Sequence, residues 1–211
     1  MPDANPTVLI IDDDPDLRTS IARLLRSLGL DTQLFASIPD FLQSDLPDGP
    51  TCLVLDVRLP GQSGLDLQRE LAASNRELPI IFITGHGDIP MSVQAMKGGA
   101  IEFLTKPFRD QDLLDAIQLG LARDRERRKD DEALAALRER FGSLSPRERE
   151  IMIQVAQGRL SKQIAGDIGI AEATVKVHRS RLMRKMKARS LPEFCRMADK
   201  LKLVPEDPQR S

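Results

Sequence analysis

Over the first 121 residues, short apolar runs alternate with stretches whose apolar positions return every three or four residues. VLII (8–11) precedes LRTSIARLLRSLG, in which Leu17, Ile21, Leu24, Leu25 and Leu28 keep helical spacing and Gly29 marks a stop. DTQLF (31–35) precedes a short helix over 38–43, and TCLVLD (51–56) precedes a loop and a helix over 64–73. PIIFIT (79–84) precedes a helix over 89–97, and AIEFLT (100–105) precedes one that begins near Arg109. The middle runs are almost continuously apolar, as in strands covered on both faces. Five strand–helix repeats predict an α/β fold, a five-stranded doubly wound parallel sheet, with its crevice at the carboxyl ends of the strands.

From Arg109 to Arg140 there is no Pro, and Gly120 is the single Gly. Apolar residues recur at Leu113, Leu114, Ile117 and Leu121, then at Leu134, Leu137 and Phe141, around an almost wholly charged stretch over 122–132. The pattern fits a solvated linker or one long helix, and the helix is favoured by the wealth of Arg, Glu, Ala and Leu. Asp124, Arg128 and Asp131 fall on the would-be seam, which argues against a coiled coil.

Beyond the linker the pattern is wholly helical. SPRERE (145–150) reads as a helix start, with Ser145 as cap, Pro146 in the first turn and Glu148 completing a capping box. A second helix starts at Ser161 and stops at Gly169, a third covers 172–186, and a fourth covers 191–203. On the third, Val175, Leu182 and Met186 share one face while Lys176, Arg179, Arg181, Arg184, Lys185 and Lys187 crowd the rest. Four short helices with a tight turn between the second and third read as a helix-turn-helix unit. The apolar stripe of the fourth is core, with length to spare for a partner.

Charge separates the two ends. Residues 1–121 hold 9 Lys+Arg against 18 Asp+Glu, a net −9, whereas residues 141–211 hold 15 against 8, a net +7. An acidic front and a basic back suggest two separate roles, the second on a polyanion. No run of eighteen apolar residues and no export leader is present, so a cytoplasmic chain is expected. Cys52 and Cys195 lack metal-ligand spacing and read as free thiols. The lack of both Trp and Tyr argues against aromatic cages and stacking platforms.

Chemistry gathers at the predicted strand ends. The first ends in Asp12 and Asp13, the third in Asp56, the fourth in Thr84, and the fifth in Thr105, Lys106 and Pro107. Asp14, just before Pro15, suits a helix cap. The remaining carboxylates would repel, and a hard divalent cation such as Mg²⁺ would offset that repulsion with oxygen ligands. Carboxylates, a hydroxyl and an ammonium in one crevice suit phosphoryl transfer to a carboxylate. In that reading Asp56 is the nucleophile, and Lys106 and Thr84 bind the transferred group. His86, in GHGD, reads as part of a loop and not as a catalytic base.

Taken together, the paired Asp12–Asp13, VLDVRLPGQSG around Asp56, ITGHGD and FLTKPF resemble a response-regulator receiver domain, over roughly residues 5–121. TGHGDIPMSVQAMKGGAIEFLTKPF is similar to the FixJ-like subfamily. The resemblance implies that a sensor histidine kinase phosphorylates Asp56, and that Asp13, Asp56 and the Arg58 carbonyl bind Mg²⁺ directly with Asp12 acting through water. It further implies a Thr84–Phe103 switch pair and a cis Lys106–Pro107 peptide. Phe103 stands where Tyr is frequent, so its movement gains no hydroxyl hydrogen bond.

LSPRERE, GRLSKQIAGDIGI and ATVKVHRSRLMRKM resemble the LuxR-type domain of the NarL/FixJ group, over roughly residues 143–203. That resemblance implies a third helix in the major groove of duplex DNA. Lys176, Val177 and Ser180 would face base edges, and Lys162, Thr174, Arg179 and Arg181 would mostly meet phosphates. The fourth helix would make a dimer contact. Ala171 stands where a capping Ser is usual, and His178 could touch phosphate or pack inside. The implied layout is a receiver over 1–121, a helical linker over 122–140 and a DNA-binding domain over 141–211. The implied function is a non-enzymatic transcription regulator that forms a homodimer on phosphorylation and binds a near-palindromic operator. A Mg²⁺-dependent phosphatase is the rival, although such enzymes usually carry the nucleophile on the first strand and need a cap domain. A receiver with a protein- or RNA-binding output is a third reading.

Overall fold

The computed structural model describes residues 5–74, 76–85 and 88–203. His86 and the last residues of the basic domain lie outside the described residues. The chain divides into two compact units, Met1–Arg128 and Lys129–Ser211.

In the first unit, strands β1 (Thr7–Ile11), β2 (Asp31–Phe35), β3 (Thr51–Asp56), β4 (Ile80–Thr84) and β5 (Glu102–Thr105) form one parallel sheet in the order β2-β1-β3-β4-β5. The central strands β1, β3 and β4 are buried along their whole length, whereas β2 and β5 mix partly buried and exposed positions, as edge strands should. Alternation along each strand sorts side chains to two faces. Val8, Ile10, Val54, Ile81 and Ile83 meet α1 (Pro15–Ser27) and the start of α5 (Asp110–Gly142). Leu9, Ile11, Leu53, Leu55 and Phe82 meet α2 (Ile38–Leu42), α3 (Gly64–Ala73) and α4 (Ile89–Lys97). Because β1 pairs with both β2 and β3, strand order reverses there, and the carboxyl ends of β1 and β3 open a crevice between them.

Helix α5 is 33 residues long, the long helix expected from composition. Gly120 lets it approach β3, since a Cβ there would stand 3.1 Å from the Cys52 Cβ. The charged stretch that follows is not simply solvated. Asp124 is fully buried and accepts from the Thr51 backbone N–H at 2.9 Å. It is paired by Arg127 and Arg128 at 2.6 and 2.7 Å, and Arg128 also donates to the carbonyls of Asp48 and Pro47. These contacts dock α5 onto the first unit as far as Arg128.

The second unit packs α6 (Pro146–Ala156), α7 (Ser161–Ile168), α8 (Glu172–Met186) and α9 (Leu191–Lys200) around a core that includes Leu137, Ile151, Ile164, Val175, Leu182 and Phe194. Ser145 and Glu148 make both hydrogen bonds of the capping box that starts α6. Gly169 takes a left-handed conformation, φ 67°, ψ 36°, which ends α7 and turns the chain into α8 within three residues. Among the described residues no helix is long and apolar enough to cross a membrane.

Candidate functional site

At the crevice, β1 delivers Asp12 and Asp13, β3 delivers Asp56, and the chain leaving β5 delivers Lys106. Carboxylate oxygens of the three aspartates lie within 4.8 Å of one another. Asp12 and Asp56 are buried and Asp13 is exposed. Nζ of Lys106 lies 2.6 Å from Oδ2 of Asp12 and 2.6 Å from Oδ2 of Asp56, bridging residues 94 and 50 positions away. Their other oxygens accept backbone N–H groups, Asp12 from Asp14 and Asp56 from Arg58, each at 2.9 Å. Repulsion among the acids is thus partly offset inside the protein. Two carboxylates against one ammonium still leave one negative charge in excess, and Asp13 adds another.

The electrostatics follow from this packing. Burial raises the Asp12 carboxyl above its ordinary 3.8, outweighing the hydrogen bonds from Lys106 and Asp14, and the Asp56 charge adds to the rise. Burial alone would lower Lys106, but its hydrogen bonds to Asp12 and Asp56 more than reverse that, so it sits above its ordinary 10.5. Lys106 is therefore a fixed positive charge aimed at Asp56.

Thr84 ends β4 fully buried, and its carbonyl accepts from the Lys106 N–H at 2.7 Å. The Lys106–Pro107 peptide is cis. Phe103 is half-buried on β5, in register with Phe82 and 6.4 Å from its ring centroid. Arg58 forms an isolated bridge with Ser63 across the loop that follows Asp56. Asp14 caps α1, accepting from the N–H groups of Asp16 and Leu17.

Two contributors were not read from the sequence. Arg18 of α1 donates to the Asp12 backbone carbonyl, holding the carboxyl end of β1 from the helix side. Gly64 lets α3 start against Asp56, since a Cβ there would stand 2.5 Å from the Asp56 carbonyl oxygen. Gly64→Ala should therefore lower the unfolding free energy by about 1–3 kcal/mol, as overpacking does, and slow any reaction at Asp56. Urea denaturation followed by circular dichroism checks this, and an unchanged midpoint would refute it.

The second unit presents a basic face. On α8, Val175, Leu182 and Met186 turn inward, while Thr174, Lys176, Val177, Ser180 and Arg181 are exposed, as is Lys162 on α7. Arg179 is half-buried and donates to the Ser161 hydroxyl at 3.0 Å, bracing α8 against the start of α7. His178 is also half-buried, with Nδ1 shielded from solvent. Ala171 offers no side-chain cap, and the acidic Glu172 follows it in the first turn. Lys185 serves the fold: its Nζ lies 2.7 Å from the buried Glu148 of α6. Burial would raise Glu148, but hydrogen bonds from Lys185 and Ser145 leave it below its ordinary 4.5. A charge pair between α6 and α8 thus orients the basic helix.

Comparison with known proteins finds two family matches along the chain. Residues 8–118 match the response regulator receiver domain, and residues 142–198 match the luxR family of bacterial regulatory proteins. The chain belongs to the response regulators of the NarL/FixJ type, transcription regulators of two-component systems that join a receiver to a LuxR-type DNA-binding domain. It is 54% identical over 194 residues to nodulation protein W of Bradyrhizobium diazoefficiens, covering 92% of this chain and 86% of that one. It is 43% identical over 207 residues to the transcriptional regulatory protein FixJ of Azorhizobium caulinodans, covering 98% of each. The solved structure of the response regulator StyR superposes with a TM-score of 0.81 at 48% identity, covering 93% of this chain and all of that one.

Proposed function

We propose that Asp56 accepts a phosphoryl group from a sensor histidine kinase, and that this modification controls binding of duplex DNA by α8. The observation that carries the reading is the double contact of Lys106 with Asp12 and Asp56 at the mouth of a parallel sheet. In the transfer, an Asp56 carboxylate oxygen forms the new P–O bond as the donor's P–N bond breaks, and the histidine nitrogen keeps the bonding pair. Asp56 needs no general base, because a carboxylate is already a nucleophile. Lys106 moves from carboxylate to phosphoryl oxygen with little change of position, and Thr84 offers a hydroxyl to the same group. Thr84 and Phe103 then form the switch, with Phe103 repacking against β4.

The donor set fits Mg²⁺. It is all oxygen, it holds excess negative charge, and among the described residues the exposed Asp13 carboxylate has no hydrogen-bond donor. Asp13, Asp56 and the Arg58 carbonyl would hold the ion, with Asp12 acting through water. Bound there, Mg²⁺ supplies positive charge to the phosphoryl oxygens.

The division of labour follows residues 1–121 as phosphoacceptor, 122–140 as linker and 141–211 as DNA-binding domain, with the docked start of the linker structurally part of the first unit. The phosphorylated chain forms a homodimer through the α4–β5–α5 face, where Ile89 is 79% exposed and Val93 and Met96 are also exposed. On DNA, Lys176, Val177 and Ser180 read base edges, and Lys162, Thr174, Arg179 and Arg181 meet phosphates of a near-palindromic operator.

The test combines two measurements. After incubation with acetyl phosphate and Mg²⁺, intact mass should show a single phosphoryl group on the wild-type protein and none on Asp56→Asn. Selection from a random duplex pool should enrich one sequence, far more strongly for the phosphorylated wild type than for Asp56→Asn. A full phosphoryl group on Asp56→Asn would exclude Asp56 as the acceptor. Steady hydrolysis of small phosphate esters would favour the enzyme reading.

A further inference from the structure

The DNA-facing end of α8 carries one acidic residue among its basic ones. Glu172 opens the helix, and its Oε1 lies 2.8 Å from Nζ of Lys176 one turn further on, the lysine exposed and the glutamate half-buried. Lys162 of α7 adds its field to the same carboxylate. The Lys176 hydrogen bond, helped by these charges, holds Glu172 below the usual carboxylate range. Glu172 is thus ionised at neutral pH.

Part of this has a local cause. Ala171 supplies no cap, so an acid in the first turn complements the helix dipole. Either of the next two positions in that turn would serve the dipole equally. Spacing by four instead puts Glu172 on the stripe of Lys176 and Ser180, the stripe assigned above to base edges. The lysine meant for a base therefore already holds an anion in the free protein.

We propose that Glu172 is a specificity-determining residue, a built-in stand-in for DNA phosphate that discourages Lys176 from binding the backbone and leaves it free to bind a base. This rests on the assignment of α8 as the helix that meets DNA. The physical basis is the difference between the two acceptors. An ammonium carries three N–H donors. Lys176 can keep one on Glu172 and direct the others to O6 and N7 of guanine, acceptors without a full charge. A phosphate approaching the same ammonium brings a negative charge toward the Glu172 carboxylate and gains only what the carboxylate already supplies. Base contact is tolerated and phosphate contact is penalised.

The test is Glu172→Gln, which keeps shape and helix propensity and removes the charge. Affinity is measured for the phosphorylated full-length protein on two duplexes of equal length across a salt series. One duplex is selected from a random pool by the wild type, and the other is of scrambled sequence. Affinity for the scrambled duplex should rise about two- to fivefold, the scale of an exposed ion pair. Its log–log salt slope should steepen by about 0.9, one more phosphate neutralised. The selected duplex should change less, so the specificity ratio falls. Glu150→Gln, which removes the same charge from the half-exposed pair with Arg147 on α6, should leave that ratio unchanged. On a Lys176→Ala background, Glu172→Gln should no longer lower the ratio, and this cycle separates the effect from any change in helix stability. Equal gains on both duplexes, or a Glu172→Gln effect that persists without Lys176, would overturn the proposal. A wild type that prefers no duplex at all would instead overturn the DNA reading of α8.

Discussion

The phosphorylated full-length protein should bind its selected duplex about 10²- to 10⁴-fold more tightly than the unphosphorylated protein, without any new contact between a single α8 and DNA. Phosphorylation adds roughly −1.5 to −2 charges at neutral pH, and it does so at a crevice that already holds three carboxylates. Beside the Mg²⁺ proposed above, the receiver would relieve that charge by rearranging Lys106, Thr84 and what packs on them. Thr84 ends β4 and Lys106 follows β5, so the rearrangement would reach the α4–β5–α5 face where Ile89, Val93 and Met96 are exposed. Pairing of that face, as proposed above, would place two DNA-binding units on one molecule, and the second binding event would become intramolecular. The half-sites should lie about one helical turn apart. The fragment 141–211 should select the same sequence as the phosphoprotein, at lower affinity. Lys176→Ala should relax sequence preference, whereas Arg181→Ala should weaken all duplexes alike. Binding and mass in solution, measured together over a concentration series, decide the matter. A phosphoprotein that stays monomeric on DNA yet binds far more tightly would replace dimerisation with release of an inhibitory contact.

Lys106→Ala should destabilise the receiver by about 3 kcal/mol near pH 8, the low end for breaking a buried ion pair because the ammonium is partly solvated. Asp12 and Asp56 would then face each other buried, without their shared counter-charge. The sign with pH is set by the raised folded-state values. For Asp12, stabilisation by protonation is complete below 3.8 and is lost as pH rises through its raised folded value. Removing Lys106 removes a lowering influence on Asp12, so in the variant that loss continues to higher pH and is larger in total. For Lys106, stabilisation is complete below 10.5 and is lost only above it. The gap between variant and wild type should therefore be widest from neutral to mildly alkaline pH and narrow toward acid. Millimolar Mg²⁺ should also narrow it. Because the chain has two units and neither Trp nor Tyr, hydrogen exchange of the β1 and β3 amides is the suitable readout. Equal protection in both proteins across that range would show that the bridge contributes nothing.

Elements whose cause is local are legible in the residues themselves. The bounds of β2, β3, α3, α4 and α8 coincide with those read from periodicity. All but α8 have a short-range marker, an apolar run or a capping Ser or Asp, whereas α8 lacks a side-chain cap and is read from its apolar stripe of Val175, Leu182 and Met186. Misplaced ends also have local causes. Pro79 has no N–H to give a ladder, so β4 begins at Ile80. The apolar stripe of α9 runs to Leu203, but the helix ends at Lys200. Lys202 turns left-handed at φ 53°, and the Leu203 N–H bonds back to Ala198, so Leu201 and Leu203 pack on the core from beyond the helix.

The sequence by itself determined the order of elements, the two-part charge division and the set of residues at the strand ends, because each depends on neighbours within a few positions. Only the tertiary structure decided which distant groups those residues meet. Lys106 reaches Asp12 and Asp56, Lys185 reaches Glu148 across 37 positions, and Asp124 meets the Thr51 N–H across 73. Asp124 and Lys185 look like ordinary members of solvated charged runs, since composition cannot tell a charge facing water from one facing a backbone amide or a buried acid. Burial makes the difference: once Asp12, Asp56, Asp124 and Glu148 leave water, each requires a specific partner, and that partner is chosen by how the chain folds in space.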